Sequence, residues 1–223
     1  TTIGARKLMD ILKTMPADQT VTLEANADKI LLKGGKSRFT LQSLPAPDFP
    51  LVQEAPSFGP TFSVPQKTLK DLMHQVSFAM AVQDIRYYLN GILFVAEGQQ
   101  LSLVATDGHR LAYAAATLDA PASGAATSGD AILPRKTVLE LARQLADTED
   151  ELEILIAGNQ AVFRFGSIEL VTKLIDGKFP DYERVIPQAH PRVQMLERQP
   201  LLAGLQRAAI LTAEKFRGVR LVF

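Results

Sequence analysis

Cysteine is absent from all 223 positions of this sequence. Its absence excludes a disulfide framework, a thiolate zinc site and a cysteine nucleophile. Tryptophan is absent too, and no apolar run reaches the roughly 18 residues that a membrane-spanning helix needs. The chain does not open with the charged and then apolar segment of a secretion signal, so we expect a cytoplasmic protein.

The chain also has no net charge, because 24 Lys and Arg residues balance 24 Asp and Glu residues. This balance excludes a uniformly basic nucleic-acid binder and an acidic disordered tail. Apolar residues make up 47% and charged residues 22% of the chain, which are the proportions of a folded protein with a sizeable core. The chain starts without Met and stops inside an apolar run, so we expect a piece of a longer protein.

The sequence contains an internal repeat. An Arg-Lys pair, a helical apolar pattern and a closing Phe-Pro pair occur at residues 6–50 and again, 129 to 130 positions later, at residues 135–180. Residues 69–95 and residues 202–222 share a weaker pattern. In both, Leu-x-x-Leu is followed by Gly and an apolar run. The two kinds of segment alternate, which predicts two-part domains of about 120 to 130 residues, three of them in the whole protein.

Each half-domain follows one pattern, a helix and then short alternating strands, which predicts an α+β fold with antiparallel sheets that pack helices on one face. The predicted helices occupy windows 4–15, 66–80, 134–146 and 197–212. The predicted strands lie at residues 21–24, 29–33, 38–41, 91–95, 101–104, 111–113, 152–156, 161–165 and 168–174. Linkers are predicted at residues 44–60, which contain five prolines, and at residues 120–129, which are rich in Ala, Ser and Gly.

The four helical windows carry ten basic and four acidic residues, so the rest of the chain is acidic. Arg-Lys pairs at 6–7 and 135–136 fall in the first turn of a helix, where the helix dipole disfavours cations. One interpretation is an ordinary solvated helix face. The other is a surface that binds a phosphate backbone through charge, without reading base sequence.

The segment from Thr106 to Arg110 is the polar cluster most like an active site. Asp107 and His109 could act as a base and its orienting partner, but Asp-Gly between two apolar runs favours a tight hairpin turn over catalysis. His74 and His190 have no ligand partner at helical spacing, so no metal site is predicted. Neither a phosphate-binding loop nor a hydrolase motif is present, and no cofactor is predicted.

Four motifs give the sequence a family resemblance. QDIRYYLNG (83–91), ATDGHRL (105–111), LIDGKFPDYERVIP (174–187) and AAILTAEKFRGVRL (208–221) resemble the bacterial sliding clamp family, the beta subunit of DNA polymerase III. The resemblance implies the DNA clamp fold, in which helices line a ring closed by two subunits and sheets lie outside. It implies a processivity factor that encircles duplex DNA, without catalytic residues, cofactor or metal.

The resemblance also implies a domain division and partners. Residues 1–55 would be the second half of the first clamp domain, residues 56–187 the complete middle domain, and residues 188–223 the first part of the third. The expected partners are double-stranded DNA, the replicative polymerase catalytic subunit, the clamp loader, other proteins with a clamp-binding motif, and a second copy of the full-length chain. We expect it in the bacterial cytoplasm, at the nucleoid during replication.

Three sets of site residues follow from the resemblance. The peptide-binding cleft would use Tyr88, Leu89, Thr106, Gly108, His109, Arg110, Leu111, Pro180, Arg184 and Val185. DNA binding would use Arg6, Gln83, Arg86, Tyr87, Tyr88, Arg135 and Lys136. The dimer interface would use Lys7, Ile11, Lys36, Arg38, Phe39 and Leu41 of one subunit and Ile210 and Leu211 of the other.

Two other hypotheses remain open at this stage. A nucleic-acid hydrolase would use Asp107 and His109, and it would need a metal-ligand set that the sequence does not indicate. A repeat scaffold without a DNA role predicts that neutralising the helix cations changes nothing.

Overall fold

A computed structural model describes residues 1–26, 28–50, 61–119, 131–189, 191–212 and 218–222. The predicted linker at 120–129, most of the linker at 44–60, His190 and residues 213–217 of the fourth motif lie outside this described part. The chain divides into two compact units, Thr1–Phe179 and Pro180–Phe223. Within the described residues, no helix is long and apolar enough to cross a membrane.

All four predicted helices are present. They are α1 (Ala5–Lys13), α2 (Gln66–Val76), α3 (Arg135–Gln144) and α4 (Arg198–Ala209). The strands are β1 (Thr2–Ile3), β2 (Val21–Asn26), β3 (Lys29–Gly34), β4 (Ser37–Leu44), β5 (Thr61–Pro65), β6 (Gly91–Glu97), β7 (Gln100–Thr106), β8 (Leu111–Thr117), β9 (Ala131–Pro134), β10 (Glu151–Ala157), β11 (Gln160–Phe165) and β12 (Ile168–Lys173). Short 3-10 turns occupy Ala46–Asp48, Ser77–Ala79 and Tyr87–Leu89.

The strands form three antiparallel sheets of four, in the orders β1-β4-β3-β2, β8-β7-β6-β9 and β12-β11-β10-β5. The last two sheets exchange their first strands, because β5 pairs with β10 and β9 pairs with β6. The chain from β5 to β12 is therefore a pair of half-domains, each of which gives its first strand to the other. The prediction of helices on antiparallel sheets is confirmed.

One apolar core joins the two half-domains. On α2, Leu69 and Met73 are fully buried, and on α3 Leu141 is fully buried. They pack in one cluster with sheet residues such as Phe94 and Phe163. Removing such a side chain, as in Leu69→Ala, costs about 2–5 kcal/mol because a cavity remains.

Helices α2 and α3 begin directly after a proline, at Pro65 and Pro134, whose ψ angles of 138° and 146° are not helical. A proline has no side chain that could cap the free amides of the first helical turn. Backbone carbonyls from other elements accept from them instead: Gln66 N donates to Asp150 O over 3.0 Å, and Arg135 N donates to Asn90 O over 3.0 Å. Tertiary contacts therefore fix the two helix starts.

Residues 1–50 have a smaller core. Their sheet buries Ile30 and Leu32, but α1 has no buried residue, and Met9 and Leu12 are 52% and 40% exposed. The second unit contains α4, which also has no buried residue. Before it, Tyr182 O accepts hydrogen bonds from Val185 N and Ile186 N in a turn.

Candidate functional site

Two of the four motifs and the beginning of a third meet in the first unit. The loop of residues 83–90, hereafter the tyrosine loop, precedes β6, and the turn of residues 107–110, hereafter the DGHR turn, joins β7 to β8. Gly177 follows β12, and a Cβ placed on it would lie 3.3 Å from Tyr88 Cβ and 3.4 Å from the Tyr87 ring. A Cβ on Gly108 of the DGHR turn would lie 2.8 Å from Arg86 Nη1. The tyrosine loop thus lies between the other two segments.

The tyrosine loop is closed by a reciprocal pair of hydrogen bonds. Asp84 N donates to Asn90 Oδ1 over 2.9 Å, and Asn90 Nδ2 donates to Asp84 O over 2.9 Å. Gln83, with φ of 56°, is the one non-glycine residue with positive φ in the described part of the chain. The resemblance places Leu89 in the peptide-binding cleft. Its side chain is 2% exposed and lies in the protein interior.

Arg86 connects the tyrosine loop to the DGHR turn. Its Nε and Nη2 donate to the two oxygens of the Asp84 carboxylate over 3.0 and 2.8 Å, and Nη2 also donates to Asp107 O over 3.3 Å. The side-chain hydrogen bonds from Arg86, followed by the one from its backbone N–H, lower the pKa of Asp84 from 3.8 to about 2. Asp84 is therefore ionised at neutral pH and fixes the direction of the guanidinium.

The DGHR turn is held by its own side chains. Asp107 Oδ1 accepts from His109 N over 2.9 Å and from Arg110 N over 3.0 Å, and Oδ2 accepts from Arg110 Nε over 3.0 Å. Thr106 Oγ1 donates to Arg110 O over 2.7 Å. The hydrogen bond from His109 N is the largest cause that lowers the pKa of Asp107. The predicted hairpin turn is confirmed, and the Asp107 carboxylate serves it as a cap.

Sequence reasoning missed Phe78. Its ring is 58% exposed, and the Arg110 guanidinium lies over it, with Cζ 5.4 Å from the ring centroid. Two contacts together orient Arg110. Its Nε donates to the Asp107 carboxylate, and its guanidinium lies over the Phe78 ring. The sequence held no signal for this contact, because Phe78 sits in a helical window where an aromatic residue predicts core packing.

The remaining predicted cleft residues lie in two places. Leu111 is half-buried at the start of β8. Pro180, Arg184 and Val185 are exposed residues of the second unit, where Arg184 Nε forms an ion pair with Asp181 Oδ2 over 2.8 Å. Among the described residues, no group of three or more His, Asp or Glu side chains could hold a metal ion.

The basic pairs lie where the repeat predicted them. Arg6 and Lys7 occupy the first turn of α1, and Arg135 and Lys136 the first turn of α3. Neither first turn contains an acidic residue. Arg135 is half-buried, and the other three are exposed. The cations at these two helix starts are therefore not compensated by a carboxylate of the same turn.

The predicted dimer residues lie at a sheet edge and a helix end. Arg38, Phe39 and Leu41 are on β4, whose outer edge is paired with β1 only at Ser43 and Leu44 within the described residues. Lys36 is exposed in the preceding turn, and Lys7 and Ile11 lie on α1. Ile210 and Leu211, just after α4, are 78% and 92% exposed.

Comparison with solved structures places the fold among the sliding clamps. The crystal structure of the DNA polymerase III subunit beta from Pseudomonas aeruginosa matches 96% of this chain and 58% of its own, with a TM-score of 0.84 and 44% sequence identity. A sliding clamp from the same organism bound to griselimycin matches 96% of this chain and 57% of its own, with a TM-score of 0.82 and 44% identity.

Family models agree with the structural matches. The model of the DNA polymerase III beta subunit central domain matches residues 63–181, and the model of its N-terminal domain matches residues 1–53. The chain belongs to the DNA polymerase III beta subunit family. This is a family of clamp subunits that serve a polymerase, rather than a family of enzymes.

A curated relative gives the extent of the match. The beta sliding clamp of Pseudomonas aeruginosa is 45% identical over 220 residues, which are 99% of this chain and 59% of the relative. The chain thus spans about three fifths of the length of that relative.

Proposed function

We propose that this chain acts within a ring-shaped processivity factor that encircles duplex DNA and tethers the replicative polymerase. The observation that carries the proposal is the meeting of the tyrosine loop, the DGHR turn and Gly177 at one place, in a chain of the sliding-clamp family. In this role the chain needs no catalytic residue and no cofactor, and it works in the bacterial cytoplasm at the nucleoid.

The peptide-binding cleft is proposed at the DGHR turn and the start of β8. Half-buried Leu111 supplies an apolar surface for a Leu or Phe anchor of a clamp-binding motif, and Arg110, held on Phe78 and Asp107, supplies hydrogen-bond donors at its rim. Leu89 supports this surface from beneath the tyrosine loop. The assignment of Pro180, Arg184 and Val185 to the cleft rests on the resemblance. The partners are the polymerase catalytic subunit, the clamp loader and other proteins with this motif.

DNA binding is proposed for Arg6, Arg135 and Lys136, together with Gln83, Arg86, Tyr87 and Tyr88 of the tyrosine loop. Uncompensated cations in a first turn cost the helix stability, and a phosphate partner would offset that cost. Contacts to phosphate carry no base preference, which suits a protein that must slide.

A homodimer of the full-length polypeptide is proposed to close the ring. The outer edge of β4, which among the described residues pairs with β1 only at its far end, supplies Arg38, Phe39 and Leu41 to one side of this interface. Exposed Ile210 and Leu211 belong to the other side. An unpaired strand edge is a ready site for pairing with another chain. We also propose the division into clamp domains at residues 1–55, 56–187 and 188–223.

The test of the cleft is binding of a fluorescently labelled Gln-Leu-Ser-Leu-Phe peptide to the full-length polypeptide that contains these residues. We expect saturable binding that Leu111→Ala weakens about tenfold, as for a buried interface anchor. Leu89→Ala should weaken it too, but this change also leaves a cavity, so thermal unfolding is measured for both variants.

The matched control is Leu118→Ala, which removes a buried leucine directly after the last residue of β8. It should lower the unfolding temperature and leave the peptide affinity unchanged. Absence of binding to the folded wild-type protein, or equal weakening by Leu111→Ala and Leu118→Ala, would contradict the proposed cleft.

A further inference from the structure

The first part of the tyrosine loop is held by side-chain hydrogen bonds, whereas its last part is held by the backbone bond from Ala81 N to Leu89 O over 3.0 Å and by the burial of Leu89. Residues 82–86 belong to no helix or strand, Ile85 is 95% exposed, and the loop begins with the positive φ of Gln83. Neither a buried side chain nor a strand pairing holds these residues. An exposed loop of this kind samples several conformations unless local contacts select one.

Asn90 supplies the first of these contacts. Its amide accepts from Asp84 N and donates to Asp84 O, and so reproduces with a side chain the paired hydrogen bonds of two antiparallel strands. Its main-chain carbonyl accepts from Arg135 N at the start of α3. The main-chain carbonyl of Asn90 therefore links the last residue of the tyrosine loop to the start of α3. Its side-chain amide links the same residue to Asp84, near the start of the loop.

Asp84 supplies the second contact. Its Oδ1 accepts from Arg86 N over 2.8 Å while its two oxygens accept from Arg86 Nε and Nη2. A carboxylate that receives a two-pronged bond from a guanidinium fixes the plane of that group as well as its position. The fixed guanidinium is directed across the loop to Asp107 O and lies against Gly108.

Asp107 completes the connection, because its carboxylate caps the DGHR turn and bonds Arg110. Asn90, Asp84, Arg86 and Asp107 thus form one continuous path from the start of α3 to the rim residue Arg110. We propose that Asp84 and Asn90 are positioning residues of the peptide-binding cleft, which act through Arg86 to hold the tyrosine loop against the DGHR turn. This proposal rests on the proposed function.

Removing the Asp84 charge should affect peptide binding and DNA binding differently. Peptide binding should weaken, because Arg86 is no longer held in place. DNA binding should not weaken, because Asp84 no longer neutralises Arg86 and the loop becomes more positive. A residue that only stabilised the fold would lower both activities together.

The experiment compares Asp84→Asn, Asn90→Asp and Arg86→Lys in the full-length polypeptide. Asn90→Asp keeps the shape and loses the amide donor, and Arg86→Lys keeps the charge and loses the two-pronged geometry. Each should weaken binding of the labelled Gln-Leu-Ser-Leu-Phe peptide about fivefold, the size of one ordinary hydrogen bond. The double variant of Asp84→Asn and Arg86→Lys should bind no more weakly than either single variant, because both act on one path.

The matched control is Glu169→Gln, which removes the carboxylate of another exposed Arg–carboxylate pair, 2.7 Å from Arg164 Nε on β11 and β12. It should leave the peptide affinity unchanged. Retention on closed circular duplex DNA at rising salt, measured in parallel, should be undiminished in Asp84→Asn.

If Asp84→Asn and Arg86→Lys bind the peptide as tightly as the wild type does, the inference is overturned. The proposed cleft still stands in that case, provided that the wild type binds the peptide and Leu111→Ala binds it more weakly. A parallel fall of peptide affinity, DNA retention and unfolding temperature would also overturn it, because the residues would then be structural. A wild-type protein that does not bind the peptide would overturn the proposed cleft and the inference with it.

Discussion

Individual residues determine how closely the three segments of the candidate site approach one another. Gly108 and Gly177 have φ of 87° and 152°, and at each a side chain would meet the tyrosine loop. Asp84 and Asp107 are ionised caps whose oxygens receive the hydrogen bonds that shape the loop and the turn. The functional geometry therefore depends on backbone freedom at two glycines and on charge at two carboxylates.

Gly108→Ala should weaken peptide binding and destabilise the protein. Alanine with positive φ costs about 1 kcal/mol, and its Cβ would also displace Arg86. Gly98→Ala is the matched control, because Gly98 has φ of 56° and nothing within 4 Å of the added Cβ. Urea unfolding should show the greater loss in Gly108→Ala, and only that variant should lose peptide affinity. Equal effects of both variants would contradict the close approach of Arg86.

The acid dependence of stability should include a contribution from Asp84. Its pKa lies at about 2 in the folded protein and at 3.8 without its partners, so the folded state binds the proton less readily than the unfolded state. The stabilisation is thus complete above about pH 5 and is lost as the pH falls from 4 towards 2. The difference in unfolding free energy between wild type and Asp84→Asn should shrink over that window. A difference that stays constant down to pH 2 would contradict the Arg86 bond as the cause.

At the scale of helices and strands, the sequence pattern predicted which elements form but not all of their ends. The window 66–80 contains α2, which ends at Val76 and continues as a 3-10 turn over Ser77–Ala79. Periodicity reports the apolar face of a helix, whereas its end depends on hydrogen bonds that a neighbouring segment offers. The starts of α2 and α3 show the same dependence, since carbonyls from distant loops accept from their first amides.

The site was predictable in part for the same reason. The motifs located the tyrosine loop and the DGHR turn, and Asp-Gly between apolar runs predicted the hairpin. The burial of Leu89 and the stacking of Arg110 on Phe78 could not be predicted, because both depend on contacts across the fold that leave no local pattern.

Lys136→Glu should weaken DNA binding and leave the stability of the fold close to that of the wild type. A carboxylate in the first turn of α3 favours the helix by about 0.3–1 kcal/mol relative to a neutral group, but repulsion from Glu140, four residues later, opposes this gain. The new carboxylate also repels phosphate. The salt dependence of DNA affinity should lose about one unit of slope, as for the removal of one phosphate contact. Lys173→Glu on β12 is the control with the same charge change on an exposed strand residue. If both variants weaken DNA binding equally, the helix start is not the DNA-facing surface.

At the scale of the whole molecule, the exchange of first strands makes β5 to β12 a single folding unit. β5 pairs with β10, which lies about 90 residues further along the chain, and a repeat in the sequence cannot distinguish this exchange from separate half-domains. Among the described residues, the outer edge of β4 is paired only at Ser43 and Leu44, and Ile210 and Leu211 are exposed. These are the surfaces that the proposed homodimer would cover.

Replacing both Ile210 and Leu211 with alanine should shift the full-length polypeptide towards monomers. Because these side chains are 78% and 92% exposed here, their loss should leave the fold stable, within about 0.5 kcal/mol for each exposed site. Their loss from a buried interface should weaken the dimer at least about tenfold. Sedimentation velocity over a dilution series measures this shift. An unchanged dimer would place the interface elsewhere.

A change in DNA topology tests whether the protein holds DNA by encircling it. The full-length polypeptide is loaded onto a closed circular duplex with its clamp loader, isolated by gel filtration, and then the circle is cut once with a restriction enzyme. A ring should remain with the closed circle and leave the linear duplex at its ends, because weak phosphate contacts alone do not retain it. Equal retention on circular and linear duplex, or none on either, would contradict the account.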